Sequence, residues 1–339
     1  MTGSERAPQR MVVRLPNWLG DAVMALPALA AVRMAYPDTW LAVAGLPSIT
    51  PIFEESTDVR PQQVSRLAKA SETASLREGG YDAALLLTNS FRTAWAAKRA
   101  GIPERWGYAA SARGPLLTQR VMRPKRAVHH AEYYLELVRG LGMDGASVHP
   151  RIDVGDATRK RAAQVFETAG LPAASTIVGF APGAAYGHAK RWPPNRVAQV
   201  VTRLTRDRGA HCVLVGAIGD REAGREIESD LPPDVRVTNL IGRTDLRLLI
   251  GVLERCRAFV SNDSGAMHLA AAVGVPVTAI FGPTNERATA PVGDHDVILH
   301  QVFCRPCMLR ECPIDHRCMK RIGVDDVYGA LTRRLDRTA

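Results

Sequence analysis

Long apolar runs are missing from this 339-residue sequence. A helix that spans a bilayer needs about 18 or more apolar residues in succession, and Pro27, Arg33 and Gly274 interrupt the longest candidates. The chain is therefore expected to be soluble, with no transmembrane segment, or at most peripheral on a membrane. The opening stretch from Met1 to Arg10 has no apolar segment either. It does not read as a secretory signal and is expected to fray. Low-complexity tracts and repeats of solenoid length are also lacking, which excludes array architectures. Cysteine is sparse, at six residues, and without an export signal paired disulfides are not expected. Cys212 and Cys256 lie in apolar contexts and read as small core residues.

Acids are in deficit, 34 Asp and Glu against 44 Lys and Arg, which leaves a formal charge of +10. The deficit concentrates between Phe91 and Arg126, where nine bases stand against the single acid Glu104. Such a face is either an ordinary solvated surface or an attractor of anions: phosphorylated lipid, a membrane surface or nucleic acid. No nucleic-acid-binding motif accompanies it.

What is present suffices for two cores, with 46% hydrophobic residues over this length. Apolar strands are expected at residues 11–15, 40–44 and 81–87, then at 176–181, 211–215, 258–261 and 277–281. Helices are expected at 22–36, 195–207, 246–256 and 265–273. This alternation predicts an α/β fold with parallel sheets. Two doubly wound, Rossmann-like domains are expected, 1–165 and 166–339, facing a central cleft. Ligands of open α/β sheets bind beyond the carboxyl ends of the strands, so the loops after the strands carry the candidate site.

Three loops stand out. The first is Asn17-Trp18-Leu19-Gly20-Asp21. Gly20 permits close approach of backbone to a ligand, and Asp21 reads either as a helix N-cap or as a general base. The second runs from Ala181-Pro182-Gly183-Ala184-Ala185 to Lys190-Arg191-Trp192-Pro193. A Pro-Gly turn that exposes N–H groups, with a mobile lysine, suits a diphosphate; an ordinary turn beside a surface lysine is the other reading. The third, Ser261 to His268, opens a helix of small residues. Its first turn offers N–H groups and a positive dipole end to a phosphate. Ser264 adds a hydroxyl, Gly265 close approach, and His268 lies on the face of Ser264. Helix capping by Asp263 or Ser264 is the alternative. An acid between Gly216 and Glu222 reads as a ribose ligand or as a cap.

Near the C-terminus Cys304, Cys307, Cys312 and Cys318 cluster beside His316. The Cys-x2-Cys start is zinc-like, but no second two-residue knuckle follows. A metal, an iron–sulfur cluster and a disulfide stay open; a reduced structural or substrate-lining segment is favoured, with no metal assigned.

Taken in order, the Asn17–Asp21 loop with Pro27-Ala28-Leu29, the Pro182-Gly183 turn with Lys190-Arg191-Trp192-Pro193, the Ser261–His268 run and Phe281-Gly282-Pro283 resemble one family. It is the ADP-heptose:lipopolysaccharide heptosyltransferases of glycosyltransferase family 9, heptosyltransferase II most of all. The resemblance spans nearly the whole chain. It implies a GT-B architecture and inverting transfer of L-glycero-D-manno-heptose from ADP-heptose to the inner core of lipopolysaccharide. The acceptor would be carried on lipid A at the cytoplasmic face of the inner membrane, with the protein cytoplasmic or peripheral there. It implies Asp21 as catalytic base, and Gly183, Lys190, Glu222, Leu246, Asp263, Ser264, Gly265 and His268 as donor-binding residues. Asn17 and Trp18, with Arg113, Arg120 and Arg123 of the basic run, are the candidate acceptor-binding residues. No cofactor is expected to be required, because neutralising the diphosphate already makes it a better leaving group; a divalent metal stays open but is not assigned. Ala184 and Ala185 depart from the pattern, standing where some relatives carry hydroxyl residues. The rivals are a GT-B enzyme using another nucleotide sugar, a sugar-nucleotide epimerase, and a basic nucleic-acid-binding module.

Overall fold

The computed structural model describes residues 7–55, 57–67 and 71–337. Residues 1–6 of the expected frayed tail lie outside them, while Arg10 already opens the first strand. The chain divides into two compact units, Met1–Asp153 and Val154–Ala339.

The first unit holds one parallel sheet of six strands: β1 (Arg10–Arg14), β2 (Trp40–Gly45), β3 (Gln63–Arg66), β4 (Ala83–Leu86), β5 (Glu104–Tyr108) and β6 (Gln119–Val121). Their order is β3-β2-β1-β4-β5-β6. β1 is central, with Val12 opposite Ala42 on one side and Ala84 on the other. A strand covered on both faces needs an unbroken apolar run, and Met11, Val12 and Val13 are fully buried.

The second unit repeats the plan with β7 (Ile177–Ala181), β8 (His211–Leu214), β9 (Val237–Asn239), β10 (Ala258–Asn262), β11 (Val277–Phe281) and β12 (His295–Leu299), in the order β12-β11-β10-β7-β8-β9. Each unit is therefore doubly wound in the same sense. Strand order reverses between β1 and β4, and between β7 and β10. Connections leave these points toward opposite faces of the sheet, which opens a crevice at the carboxyl edge.

Three features differ from the sequence expectations. The helix expected at 22–36 is two helices, Leu19–Met24 and Leu26–Ala35; Pro27 has no N–H to give to the preceding turn. Strands β3, β6, β9 and β12 contain no fully buried residue, so they lack the apolar run that betrays a strand. The division falls at 153/154, earlier than the expected 165/166, because the helix Asp156–Thr168 packs on Leu246–Glu254 of the second unit. Gly251 allows that approach: a Cβ there would lie 2.9 Å from the Thr158 carbonyl oxygen. Among the described residues no helix is long and apolar enough to cross a membrane.

Candidate active site

In the second unit the loops after β7, β10 and β11 meet at Asp263. Lys190, in a short 3₁₀ turn (His188–Lys190), places Nζ 2.6 Å from Asp263 Oδ2, and the Thr284 hydroxyl donates to the same oxygen at 2.6 Å. The Lys190 and Asp263 side chains are only 10% and 7% exposed. A charge pair so far out of water persists only with good geometry and further hydrogen bonds, which Thr284 supplies. The ammonium also stands 4.6 Å from the centre of the Tyr186 ring.

Asn262, the last residue of β10, fixes the loop that carries Lys190. Its Nδ2 donates to the Pro182 carbonyl at 2.6 Å, and its Oδ1 accepts from the Trp192 amide at 3.1 Å. Trp192 is itself buried and donates Nε1 to the Ile322 carbonyl at 3.2 Å. The loop is thus tied to β10 near both of its ends.

Ser264 is the N-cap of the helix Gly265–Ala272 but makes no side-chain cap bond; its hydroxyl pairs with Ser261 Oγ at 3.1 Å. Neither Asp263 nor Ser264 caps the helix by its side chain, so first-turn N–H groups stay available to an anion. His268 is buried in this helix.

Gly183 is dictated by shape. A Cβ there would lie 2.1 Å from the carboxyl carbon of Asp220. Asp220 is buried, accepting from Arg191 Nη2 at 3.2 Å and from the Ala217 amide at 3.0 Å. Of the acids between Gly216 and Glu222, Asp220 faces the Pro-Gly turn, whereas Glu222 is exposed on the next helix, Arg221–Ser229. Leu246 is half-buried at the start of Leu246–Glu254. Neither Glu222 nor Leu246 shares a hydrogen bond or ion pair with Lys190 or Asp263. Gly183→Ala is expected to displace Asp220 and destabilise by about 1–3 kcal/mol. Combined with Asp220→Ala it should lose less than the sum of the two single losses in denaturant unfolding.

The cysteine segment braces the Lys190 loop. The Met308 carbonyl accepts from Tyr186 Oη at 2.8 Å and the Arg310 carbonyl from the Ala189 amide at 3.0 Å. Arg305 donates to the Gly282 and Thr284 carbonyls and pairs with Glu286. Cys304, Cys307 and Cys312 are free and partly exposed, and Cys318 is free and buried in the core. Cys212 and Cys256 are core residues, their thiols pushed up to about 12 by burial. Among the described residues no three His, Cys, Asp or Glu side chains are arranged to hold a metal.

In the first unit, β1 ends in Arg14, a guanidinium buried directly after the apolar run Met11-Val12-Val13. Its Nε donates to Glu72 at 2.7 Å, its Nη2 to Asn17 Oδ1 at 3.1 Å, and its Nη1 to the Leu15 carbonyl. The Asn17–Asp21 loop is therefore held from beneath. Trp18, 51% exposed, is the N-cap of Leu19–Met24, and Asp21 lies inside the first turn without a cap bond, so the capping reading of Asp21 falls away. Asp21 Oδ1 instead sits 3.1 Å from Nδ1 of His130, the first residue of the helix His130–Arg139. The Asp21 side chain is 23% exposed, so the carboxylate remains reachable. Tyr134 is buried nearby; desolvation and then the Asp21 charge hold its phenol well above the usual range. A reachable carboxylate oriented by an imidazole at a strand end is suited to general-base work.

Arg113, expected on the acceptor-facing surface, is fully buried instead. It donates to the carbonyls of Tyr108, Thr88 and Leu86 and to Asn89 Oδ1, and burial lowers its pKa to about 10. Its task is to tie the loop after β5 to the loop after β4. Arg120 and Arg123 are exposed, as expected. Arg113→Ala should therefore destabilise by about 2–3 kcal/mol through orphaned carbonyls, and Arg120→Ala by less than about 0.5 kcal/mol. Denaturant unfolding of the two variants checks this.

Arg14, His130, Asn262 and Thr284 were not assigned roles from sequence, and Asp220 only as one of the acids of the Gly216–Glu222 turn. Arg14 was signalled by a charge set between apolar Val13 and Leu15. Thr284 follows Phe281-Gly282-Pro283 directly, and Asn262 lies inside the third motif. His130 carries no such signal, being 109 residues from Asp21.

The model of glycosyltransferase family 9 (heptosyltransferase) matches residues 70–317. The chain is 31% identical to lipopolysaccharide heptosyltransferase 2 of Escherichia coli K12 over 301 residues, 84% of this chain and 85% of that one. It is 30% identical to lipooligosaccharide heptosyltransferase 2 of Haemophilus influenzae over 303 residues, 85% of this chain and 87% of that one. The structure of Escherichia coli ADP-heptose lipopolysaccharide heptosyltransferase II superposes with a TM-score of 0.83 at 28% identity, covering 97% of this chain and 99% of the other. With the two parallel doubly wound sheets and matches over most of its length, the chain belongs to glycosyltransferase family 9, the heptosyltransferase family.

Proposed function

We infer that this glycosyltransferase moves a heptosyl group from ADP-heptose to the inner core of lipopolysaccharide. Its similarity to lipopolysaccharide and lipooligosaccharide heptosyltransferases supports the reading. The observation that carries it is the convergence of Lys190, Asp263 and Thr284 beside a helix start that no side chain caps.

In this reading the donor diphosphate takes the first-turn N–H groups at Gly265, the Ser264 hydroxyl and the Lys190 ammonium, while Asp263 holds Lys190 in place. Gly183 and His268 belong to the same site, and Glu222 and Leu246 serve the adenosine end. The lysine and the helix dipole take up the charge that develops on ADP as its bond to the anomeric carbon breaks, so no resident metal is called for. Asp21, oriented by His130, accepts the proton of the acceptor hydroxyl as that oxygen attacks opposite the leaving ADP, which inverts the centre. Asn17, Trp18, Arg120 and Arg123 serve the anionic acceptor. The place of action is the cytoplasmic face of the inner membrane.

A donor panel tests the assignment. Titration with ADP-heptose, UDP-glucose and GDP-mannose should show binding of the ADP-sugar, and transfer should persist after EDTA treatment. Binding of a uridine or guanosine sugar in its place would move the protein to a different donor.

A further inference from the structure

The helix Phe91–Arg99 follows β4 and buries Thr93, Ala94, Ala96 and Ala97 against the core. Its outer face is unusual for a protein surface. Phe91 and Trp95 are 48% and 44% exposed, and their rings stack with centroids 6.3 Å apart at 17°. They are four residues apart and so occupy one stripe, which Lys98 and Arg99 continue at the next turn. Arg92, Lys98 and Arg99 are exposed, and the helix contains no acid. The acid that meets it from a neighbouring helix, Glu72, is buried and shared between Arg14 and Arg92.

We propose that this face docks on the surface of an anionic phospholipid bilayer. Each residue type has a part there. The Trp95 ring, with its one polar edge, settles at the headgroup level, and the Phe91 ring adds apolar area just beneath it. Lysine and arginine lay their stems along the apolar boundary and keep their charges among anionic headgroups. The positive sign argues against a second copy of the same face, since like charges would be juxtaposed. The helix leaves the sheet at the strand end beside the Asn17–Asp21 loop, because β4 and β1 are parallel neighbours with Leu86 opposite Arg14. Docking would thus present that loop to a lipid-anchored acceptor; this purpose rests on the heptosyl-transfer reading, while the docking does not.

The test is cosedimentation of the full chain with phosphatidylcholine vesicles, with and without phosphatidylglycerol. Binding is expected with phosphatidylglycerol alone and should weaken as salt rises. Lys98→Glu with Arg99→Glu should reduce partitioning about thirtyfold or more, at about a tenfold factor or less per neutralised charge and further for reversal. Phe91→Ala with Trp95→Ala should also release the protein while leaving the melting temperature near wild type. Transfer to a deacylated, water-soluble acceptor should be unchanged in both variants, whereas transfer to an acceptor embedded in vesicles should fall. Wild-type partitioning in both variants, equal binding to neutral vesicles, preference for single-stranded DNA over the anionic vesicles, or self-association through this face would each overturn the proposal. Vesicle binding without heptosyl transfer would sustain the docking and refute the proposed reaction.

Discussion

Asp21→Asn is expected to fold, to melt close to wild type and to bind ADP-heptose, while turning over about 10²–10⁴ times more slowly. The substitution keeps the shape of the side chain and can keep a hydrogen bond to His130 Nδ1, now 3.1 Å from the carboxylate. No cap is lost, because Trp18 holds the N-cap position and Asp21 makes no cap bond. The favourable placement of a negative charge in the first turn is lost, a loss of about 0.3–1 kcal/mol. What an amide cannot do is take the proton from the attacking hydroxyl at neutral pH. The effect should therefore fall on kcat and on kcat/KM alike, with donor affinity unmoved. A melting curve beside kcat decides it: a well-folded Asp21→Asn protein with near-normal kcat would remove Asp21 as the base.

Lys190→Ala and Asp263→Ala are expected to injure both folding and donor binding. Each leaves a nearly buried charge without its partner, the circumstance in which a lost ion pair is worth about 3–5 kcal/mol. In Lys190→Ala the Asp263 carboxylate keeps only the Thr284 hydroxyl, at 2.6 Å. The double variant should be less destabilised than the sum of the singles, because it removes both charges at once. Where the singles remain folded, ADP-heptose affinity should fall by about 10- to 150-fold, the loss of a charge-assisted hydrogen bond of about 1.5–3 kcal/mol. Denaturant unfolding with calorimetric titration separates the two effects. Strictly additive destabilisation would show that the pair is not coupled, and unchanged donor affinity in both singles would remove it from the donor site.

The residues reveal the interior of the fold better than its rim. Strands inside the sheet such as β7 and β11 are buried throughout and almost wholly apolar, Thr278 being the one polar side chain of the two; edge strands such as β9 and β12 carry no such obligation. The loops were legible because each sets a glycine in a strand-to-helix turn beside one polar group, Ser264 next to Gly265 in one and Lys190 after Gly183 in the other. Partnerships between distant segments were not. Lys190 and Asp263 were each assigned to the donor, but that they bind one another across 73 residues is a property of the closed fold. The same holds for His130 beside Asp21. Arg113 was misplaced because composition registers a basic run and is blind to which arginine turns inward. Its neighbours on β6 and beyond stay exposed, while Arg113 sits beneath a loop collecting carbonyl oxygens.

The most direct measurement is of the product mass. The protein is incubated with ADP-heptose and heptose-deficient lipopolysaccharide, and the acceptor is weighed by mass spectrometry before and after. Heptosyl transfer predicts an acceptor heavier by one heptosyl residue, formed in step with ADP, and absent when Asp21→Asn replaces the wild type over the same interval. An unchanged acceptor mass with an active, folded protein, or gain of a different sugar from another nucleotide donor, would contradict it.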